Sequence, residues 1–174
     1  MIDVWVVMQL SSKSELKIQR LREALSVDLP DEFKEETEPH ISILPGAKIP
    51  DDAYDMFAET VATVDLPTEA IQIDGLSLYP LEDPYVILLD VVADLSQIRE
   101  TLVEDVHNHG GHIKYPPVDP HITLFKTADE QAEAALLSDS DREQLHTTLT
   151  DFNARRTAET RWKETEYEIE LRKF

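Results

Sequence analysis

Two five-residue segments place a histidine beside a hydroxyl residue in one shared pattern. They are Pro39-His40-Ile41-Ser42-Ile43 and Pro120-His121-Ile122-Thr123-Leu124. Each is typical of a short strand, because β-branched or long apolar residues alternate with polar ones behind a leading proline. Successive side chains of a strand point to opposite faces, so each histidine shares a face with the hydroxyl residue that follows it. An imidazole beside a hydroxyl, present twice, could form a phosphate site with a paired acid and base.

The His-x-Ser/Thr spacing alone is weak evidence for a site. Six histidines and 22 serines and threonines in 174 residues give about one match by chance. A third match, at His146 and Thr148, lies in a stretch rich in Glu, Gln and Leu that is typical of a surface helix. The shared frame therefore distinguishes the His40 motif (39–43) and the His121 motif (120–124). The simpler alternative is a pair of core histidines with satisfied hydrogen bonds.

The composition is that of one soluble domain. A chain of 174 residues with 41% hydrophobic content can bury a sizeable core and is too apolar for a disordered segment. The sequence has no apolar run near about 18 residues and no secretory signal, so we expect a cytoplasmic protein. The absence of cysteine excludes disulfides, a cysteine nucleophile and zinc sites with cysteine ligands.

The chain is strongly acidic. Sixteen basic and 36 acidic residues give a formal net charge of −20. The acidic residues are dispersed and do not form a block, which favours adaptation to a salt-rich cytoplasm and predicts a halophilic archaeal source. At molar salt the Debye length falls to about 3 Å, which removes most of the self-repulsion. The alternatives are a surface that repels anionic substrates or one that binds cations.

The hydrophobic patterns predict strands and helices in alternation. The predicted order is strand 3–10, helix 12–29, histidine strand 39–43, turn 44–46, helix 51–64, strand 69–78, turn 79–84, strand 85–92, helix 94–109, histidine strand 120–124, helix 128–152 with a candidate break at 138–140, and terminal hairpin 155–174.

This order contains a repeat of strand, helix, histidine strand and helix. His40 lies 36 residues after Val4, and His121 lies 36 residues after Tyr85. Each half is therefore expected to return its histidine strand beside its own first strand, so that the two motifs face each other across a central groove. We expect one domain over residues 1–174, with lobes built roughly from 1–66 and 67–174.

The sequence resembles the two-histidine phosphoesterase superfamily, in the branch of 2′-5′ RNA ligases and RNA 2′,3′-cyclic phosphodiesterases. The resemblance rests on the two His-x-Ser/Thr motifs and on two further segments, 71–80 and 86–91. It implies an α+β, bilobal, pseudo-symmetric fold, with two antiparallel-type sheets flanked by helices around a central groove. The sequence departs from the family pattern at Ser42, where Thr is usual, and at Lys126, where many members have Arg.

The resemblance implies metal-independent hydrolysis of 2′,3′-cyclic phosphates on RNA ends or small nucleotides, with reversible 2′-5′ RNA ligation as a second activity. It implies His40 as the acid and His121 as the base. The hydroxyls of Ser42 and Thr123 and the ammonium of Lys126 are suited to bind the phosphate oxygens. No cofactor, metal or membrane is expected, and we expect a monomer whose partner is an RNA end or nucleotide with a cyclic phosphate.

Two other functions remain open from the sequence. One is a module that binds a nucleotide or RNA phosphate in the same groove without turnover. The other is a metal phosphatase that uses the cluster His107-Asn108-His109-Gly110-Gly111-His112. The cluster is more simply explained as the end of a helix, where histidines favour the dipole and glycines cap. Packing or solvated positions likewise explain the candidates for base stacking or phosphate contact, which are Tyr79, Tyr115, Trp162, Arg155 and Arg156.

Overall fold

The computed structural model of the protein describes residues 1–36, 38–79, 86–127 and 138–173. The strands are β1 (Ile2–Leu10), β2 (Phe33–Glu35), β3 (His40–Ile49), β4 (Ile71–Tyr79), β5 (Val86–Val92), β6 (His112–Ile113), β7 (His121–Thr127), β8 (Arg161–Glu164) and β9 (Tyr167–Lys173). The helices are α1 (Ser12–Ser26), α2 (Tyr54–Thr63), α3 (Ser96–Asn108), α4 (Asp139–Arg155) and α5 (Thr157–Thr160), with a 3₁₀ turn at Asp51–Ala53.

The described strands form one antiparallel sheet in the order β8-β4-β5-β7-β3-β1-β9. Two short strands lie off this path, since β2 pairs with β7 and β6 pairs with β3. The two predicted sheets are thus continuous, and they are joined where β3 meets β7 at a single residue pair. The predicted α+β class with antiparallel strands agrees with this architecture.

The predicted repeat is present in the strand pairing. β3 returns beside β1 after α1, and β7 returns beside β5 after α3. Gln9 lies opposite His40 and Asp90 lies opposite His121, so one offset of 81 residues relates both pairs. The two short strands are related by the same offset. β6 pairs with β3, the strand of the His40 motif, in the same register in which β2 pairs with β7, the strand of the His121 motif.

The core lies on one face of the sheet, where α1 to α4 pack. Alternate residues of the strands, among them Val6, Ile41, Leu89 and Ile122, join this core with the apolar side chains of the helices. The opposite face carries His40, Ser42, His121, Thr123, Trp5, Val7 and Leu88, and we call it the histidine face. Val7 and Leu88 are both buried on this face, beside the hydroxyl residues of the two motifs.

Side-chain caps fix the starts of the two longest helices. Ser11 accepts a hydrogen bond from the backbone N–H of Ser14 at 3.2 Å, which begins α1. Ser138 accepts one from the N–H of Asp141 at 3.1 Å and begins α4. Both helices then present a buried apolar stripe to the sheet.

Two predicted connections were wrong. The predicted turn at 44–46 is part of β3, because Leu44 and Ala47 are buried and pair with Val6 and Val4 of β1. Pro45, which lacks an N–H, lies at an irregularity of this pairing. The predicted terminal hairpin is instead two separated strands, since β8 pairs with β4 and β9 pairs with β1.

Some predictions fall on residues outside the described ranges. These are most of the predicted turn 79–84, the start of the strand at Tyr85, and residues 128–137 of the long predicted helix. The rest of that helix is α4, which ends at Arg155. None of the helices within the described ranges is both long and apolar enough to cross a membrane.

Candidate active site

The His40 and His121 motifs meet at the centre of the sheet. β3 and β7 pair antiparallel at one position, where Ile41 lies opposite Ile122. In an antiparallel pair, the residue before one partner lies across from the residue after the other. The junction therefore brings each histidine beside the hydroxyl residue of the other motif. The neighbouring pairs are His40 with Thr123 and His121 with Ser42.

Each histidine ring is held by a backbone carbonyl two residues earlier in the chain. Nδ1 of His40 lies 2.7 Å from the carbonyl oxygen of Glu38, and Nδ1 of His121 lies 2.8 Å from that of Asp119. A carbonyl oxygen can only accept, so Nδ1 carries a proton in both rings and Nε2 is the nitrogen that can exchange one with a substrate.

The repeated proline of the motifs explains this arrangement. A proline restricts the residue before it to an extended conformation, which fixes the direction of that residue's carbonyl group. Pro39 and Pro120 each stand between the carbonyl and the histidine that it holds. The frame that distinguished the two motifs in the sequence therefore sets the tautomer of both imidazoles.

A strand irregularity places Lys126 on the same face as the motifs. β7 contains one more residue than β5 between the pairs that flank Leu124. Leu124 and Phe125 are consequently both buried, and alternation resumes with Lys126 exposed. Strict alternation from Thr123 would have placed Phe125 on the histidine face. The bulge therefore keeps the predicted phosphate-binding lysine on the same side of the sheet as the hydroxyl.

Lys126 is ion-paired with Glu36, a residue that the sequence did not single out. Lys126 Nζ lies 3.0 Å from Glu36 Oε2, with 22% of the Glu36 side chain exposed. The backbone of Glu36 is also fixed, because its N–H donates to the Leu124 carbonyl at 2.9 Å and its carbonyl accepts from Arg22. The predicted cation at the site is thus partly neutralised in the free protein.

Trp5 is a second residue of the site that sequence reasoning missed. Its indole Nε1–H donates to Ser42 Oγ at 3.2 Å. Its ring packs edge-to-face against the His40 imidazole, with centroids 4.4 Å apart and planes at 82°. Because the Ser42 oxygen accepts from Trp5, its own proton is left to donate elsewhere. The signal was present in the sequence, since Trp5 alternates with the core residues Val4 and Val6 in β1.

Arg172 of β9 lies behind Trp5 and links it to two carboxylates. Its guanidinium carbon is 5.5 Å from the centroid of a Trp5 ring. Its nitrogens lie 2.9 Å from Glu38 Oε2 and 3.3 Å from Glu170 Oε2. Only 18% of the side chain is exposed, so this cation is a fixed part of the surroundings of His40.

Burial lowers the pKa of His40 below its ordinary value of 6.5. The hydrogen bond to the Glu38 carbonyl and the charge of Glu36 act in the opposite direction, while the charge of Arg172 and the neighbouring His121 add to the lowering. The result favours the neutral form of His40 in the free protein. The presence of His121 among these causes reflects the closeness of the two imidazoles.

Arg99 of α3 stabilises the backbone of the His40 motif. Its Nε donates to the Ile43 carbonyl at 3.1 Å, and Nη2 donates to the Ser42 carbonyl at 3.2 Å. Burial lowers the pKa of Arg99 below its ordinary value, and the opposite charge of Asp119, beside the second motif, acts in the other direction. Arg99 is thereby placed at the junction of the two halves.

The remaining sequence candidates do not join the histidine pair. Trp162 donates its indole N–H to Ser14 Oγ at 2.9 Å, which explains it as packing. Tyr79 and Tyr115 are exposed, and the Tyr115 ring lies against Gly46, where a Cβ atom would come within 2.7 Å. Arg156 bonds Glu159 at 3.1 Å on the surface.

The histidine cluster at 107–112 ends a helix, as the simpler interpretation predicted. α3 ends at Asn108, Nδ1 of His109 lies 2.9 Å from the Asp105 carbonyl, and Gly110 adopts a φ of 75°. Within the described ranges, no group of three or more His, Asp or Glu side chains is arranged to hold a metal ion. Metal-independent chemistry stays a prediction.

Comparison with known proteins agrees with this geometry. A family model described as the 2'-5' RNA ligase superfamily matches residues 9–161, a range that includes both motifs. A search of curated proteins finds no match.

Solved structures share the fold at low sequence identity. The MHV ns2 PDE domain superposes with a TM-score of 0.60 at 17% identity, over 99% of each chain. Apo LigT of E. coli gives 0.59 at 13% identity, over 99% of this chain and 93% of that chain. Usb1 of Kluyveromyces marxianus gives 0.52 at 10% identity, over 98% of this chain and 96% of that one. Since the family model covers most of the sequence and these folds superpose along nearly the whole of it, the chain belongs to the 2'-5' RNA ligase superfamily.

Proposed function

We propose that this protein hydrolyses 2′,3′-cyclic phosphates on RNA ends or small nucleotides, with His40 and His121 as its acid–base pair. Membership of the 2'-5' RNA ligase superfamily supports phosphoesterase or ligase-like chemistry. The observation that carries the narrower proposal is the junction of the two motifs, where each imidazole has its Nδ1 occupied by a carbonyl. In this proposal the two Nε2 atoms and the two hydroxyls face one substrate phosphate.

The hydrolytic step needs one proton acceptor and one proton donor. A water oxygen attacks phosphorus, and Nε2 of His121 takes the proton that the water loses. The bond from phosphorus to one ribose oxygen breaks, and Nε2 of His40 gives that oxygen a proton. The product is a phosphomonoester beside a free hydroxyl. This order of roles is the one that the family resemblance implied.

The hydroxyls of Ser42 and Thr123 are suited to donate to the non-bridging oxygens. The Trp5 N–H occupies one lone pair of Ser42 and so directs its proton away from the indole. Lys126, three residues after Thr123 in β7, adds positive charge on the same face of the sheet. These groups would stabilise the charge that accumulates on phosphorus-bound oxygens in the transition state.

The lowered pKa of His40 opposes the role of acid in the free protein. A bound phosphate acts in the other direction, because a negative charge beside an imidazole stabilises its protonated form. The proposal therefore requires that substrate binding itself raise the pKa of His40. Substrate and catalyst would then be coupled, with protonated His40 favoured when a phosphate is present.

The test is hydrolysis of adenosine 2′,3′-cyclic phosphate, with and without EDTA. Turnover that is unchanged by EDTA is expected. Binding of the nucleotide without turnover would instead identify a phosphate-binding module. Turnover that is lost with EDTA and restored by one divalent cation would contradict the metal-independent step.

Salt is a necessary variable of this assay. A net charge of −20 opposes both compaction and the approach of an anionic substrate in dilute buffer. Thermal stability and turnover should therefore rise between about 0.1 and 3 M KCl, the range over which the screening length shrinks several-fold. A monotonic fall of both quantities with added salt would show that the acidic surface has another purpose.

A further inference from the structure

Glu36 places a negative charge directly on the cation that is proposed to bind the phosphate. Its carboxylate lies 3.0 Å from the ammonium of Lys126, the cation nearest to Thr123 along β7. It is also close enough to His40 to raise that residue's pKa by its charge. A purely phosphate-binding surface would gain affinity without it.

The position of Glu36 is fixed by the fold. Its N–H donates to the Leu124 carbonyl at 2.9 Å, directly after β2 pairs with β7. Its own carbonyl accepts a hydrogen bond from the guanidinium of Arg22. With both backbone groups bonded, the carboxylate has only its side-chain torsions with which to leave Lys126.

The other half of the molecule lacks this pair. The offset of 81 residues maps Lys126 onto Pro45 and Glu36 onto Pro117. The ion pair is therefore a local addition to one half and is not required by the repeated architecture.

We infer that Glu36 is a specificity-determining residue that makes the site prefer a phosphodiester monoanion over a phosphomonoester dianion. The inference rests on the proposed function, in which the substrate is the monoanionic cyclic ester and the product is the monoester. The Glu36–Lys126 pair would then weaken the binding of the product after hydrolysis.

The physical reason is the charge dependence of Coulomb repulsion. A fixed carboxylate repels each unit of charge on the phosphate equally, so a dianion is destabilised by twice the free energy of a monoanion. The factor by which the charge of Glu36 weakens the affinity for the dianion is consequently about the square of the factor by which it weakens the affinity for the monoanion. Above the second pKa of a phosphomonoester, about 6, the product carries the larger charge.

The other charged groups near this pair do not remove the effect. Lys34 lies across from Lys126 in the β2–β7 pairing, and its ammonium donates to the Asp31 carbonyl at 2.9 Å. Arg172 is held by Glu38 on the His40 side. The carboxylate of Glu36 is thus the acidic group placed directly on the cation proposed to bind the phosphate.

The experiment compares Glu36→Gln with Glu35→Gln at pH 8. Glu35 is the exposed neighbour on β2, opposite Phe125, so its variant removes the same charge away from Lys126. KM is measured for adenosine 2′,3′-cyclic phosphate, and Ki is measured for adenosine 2′-phosphate and 3′-phosphate. For Glu36→Gln we expect Ki to fall about tenfold and KM about threefold, whereas both values stay near wild type for Glu35→Gln.

A second arm uses the charge of the ligand itself. At pH 5 the monoesters are monoanions. The ratio of their Ki values between Glu35→Gln and Glu36→Gln should therefore shrink to about threefold. A structural role of Glu36 would not depend on the ligand's charge state. Equal factors for cyclic ester and monoester at pH 8, or no change in either, would overturn the inference.

Calorimetric binding of the same nucleotides separates this inference from the proposed function. Wild-type protein that binds these ligands without turnover, with selectivity that still shifts in Glu36→Gln, would overturn hydrolysis and support the role of Glu36. Turnover by the wild type with unchanged selectivity in Glu36→Gln would support hydrolysis and overturn the role of Glu36. The absence of both binding and turnover would overturn the proposed function and the inference about Glu36 together.

Discussion

Trp5 stands beside the His40 motif at the position that Val86 occupies beside the His121 motif. The same correspondence relates Pro45 of β3 to Lys126 of β7. Each of them lies two residues after the bulge in its strand. One half of the site is therefore lined by an indole and a proline, and the other by a small aliphatic residue and a cation. At these two corresponding positions the His40 half is apolar and the His121 half carries a charge, whereas the cation of the His40 half is Arg172, next to Trp5.

The backbone around the two histidines is nevertheless the same. Both rings are held through Nδ1 at nearly equal distances, 2.7 and 2.8 Å, by the carbonyl that precedes a proline. Buried Val7 and Leu88 occupy matching positions next to Ser42 and Thr123. The repeat thus provides two equivalent imidazole positions, and neighbouring strands provide the difference between them.

This difference has a chemical consequence. Two identical histidines in identical surroundings would compete equally for one proton, whereas hydrolysis needs one acid and one base. Burial lowers the pKa of His40, whose ring packs against Trp5, and the charge of Arg172 adds to the lowering. In the free protein these neighbours favour neutral His40, so the acid role proposed for His40 depends on a bound phosphate that raises its pKa.

The largest expected effects come from removing either histidine. His40→Ala and His121→Ala should each lower kcat/KM for the cyclic ester by at least about 100-fold, the usual worth of a general acid or base. Wild-type enzyme should give a bell-shaped pH profile. The residual activity of His40→Ala should lack the alkaline limb, and that of His121→Ala the acidic limb. The opposite pattern would exchange the two roles, and near-wild-type turnover in either variant would contradict the mechanism.

The sequence was sufficient to predict the motifs and the repeat, because strand alternation and the proline frame are local properties. The register that gives one offset for both halves followed from the spacing of Val4 and Tyr85 to their histidines. The fold class and the family agree with the structure and the comparisons. The identities of the catalytic and phosphate-binding residues remain predictions.

The errors of prediction arose where long-range pairing decides the outcome. Leu44-Pro45-Gly46 has the composition of a turn, but β1 offers partners on both sides of the proline and the strand continues. The tail alternates like a hairpin, yet β9 pairs with β1 at the opposite edge of the sheet from β8. Glu36 was hidden for the same reason, since its partner Lys126 is 90 residues away in the chain.

Smaller effects should distinguish the hydroxyl environments of the two halves. Ser42→Ala and Thr123→Ala should each reduce kcat about tenfold if each hydroxyl donates one bond to the phosphate. Trp5→Phe, which keeps an aromatic ring but removes the N–H, should cost about fivefold by misdirecting the Ser42 hydroxyl.

The double variants provide the control for this prediction. Trp5→Phe should add nothing further in a Ser42→Ala background, because the hydroxyl that it orients is already absent. In a Thr123→Ala background, Trp5→Phe should still cost its full factor of about five, so that the effects of the two substitutions multiply. Equal behaviour in the two backgrounds would mean that Trp5 acts on the ring of His40 or on the fold, and not through Ser42.

The charge of Lys126 should contribute less than the hydroxyls and should depend on salt. Lys126→Ala is expected to raise KM about threefold in dilute buffer, since an exposed ammonium beside a phosphate is partly screened by solvent. The difference should nearly disappear in molar KCl, whereas the effect of Thr123→Ala should persist. Lys13→Ala, at an exposed position of helix α1, removes the same charge outside β7 and is the matched control. A Lys126→Ala effect that is independent of salt would indicate a direct hydrogen bond.

The smallest expected effect is on the pH dependence of folding. Burial and Arg172 lower the pKa of His40 in the folded state below the value of 6.5 that we take for the unfolded chain. Between those two pKa values the unfolded chain binds more protons, so the free energy of unfolding rises with pH through this window and falls on acidification. His40→Gln cannot be protonated and should lose less stability than wild type when the pH is lowered from 7 towards 5. Other titrating groups are common to both proteins and cancel in the difference, which chemical denaturation at several pH values measures. A parallel loss of stability in the two proteins would mean that His40 has the same proton affinity folded and unfolded, and the contrast drawn between the two halves would then reduce to Lys126 and its partner.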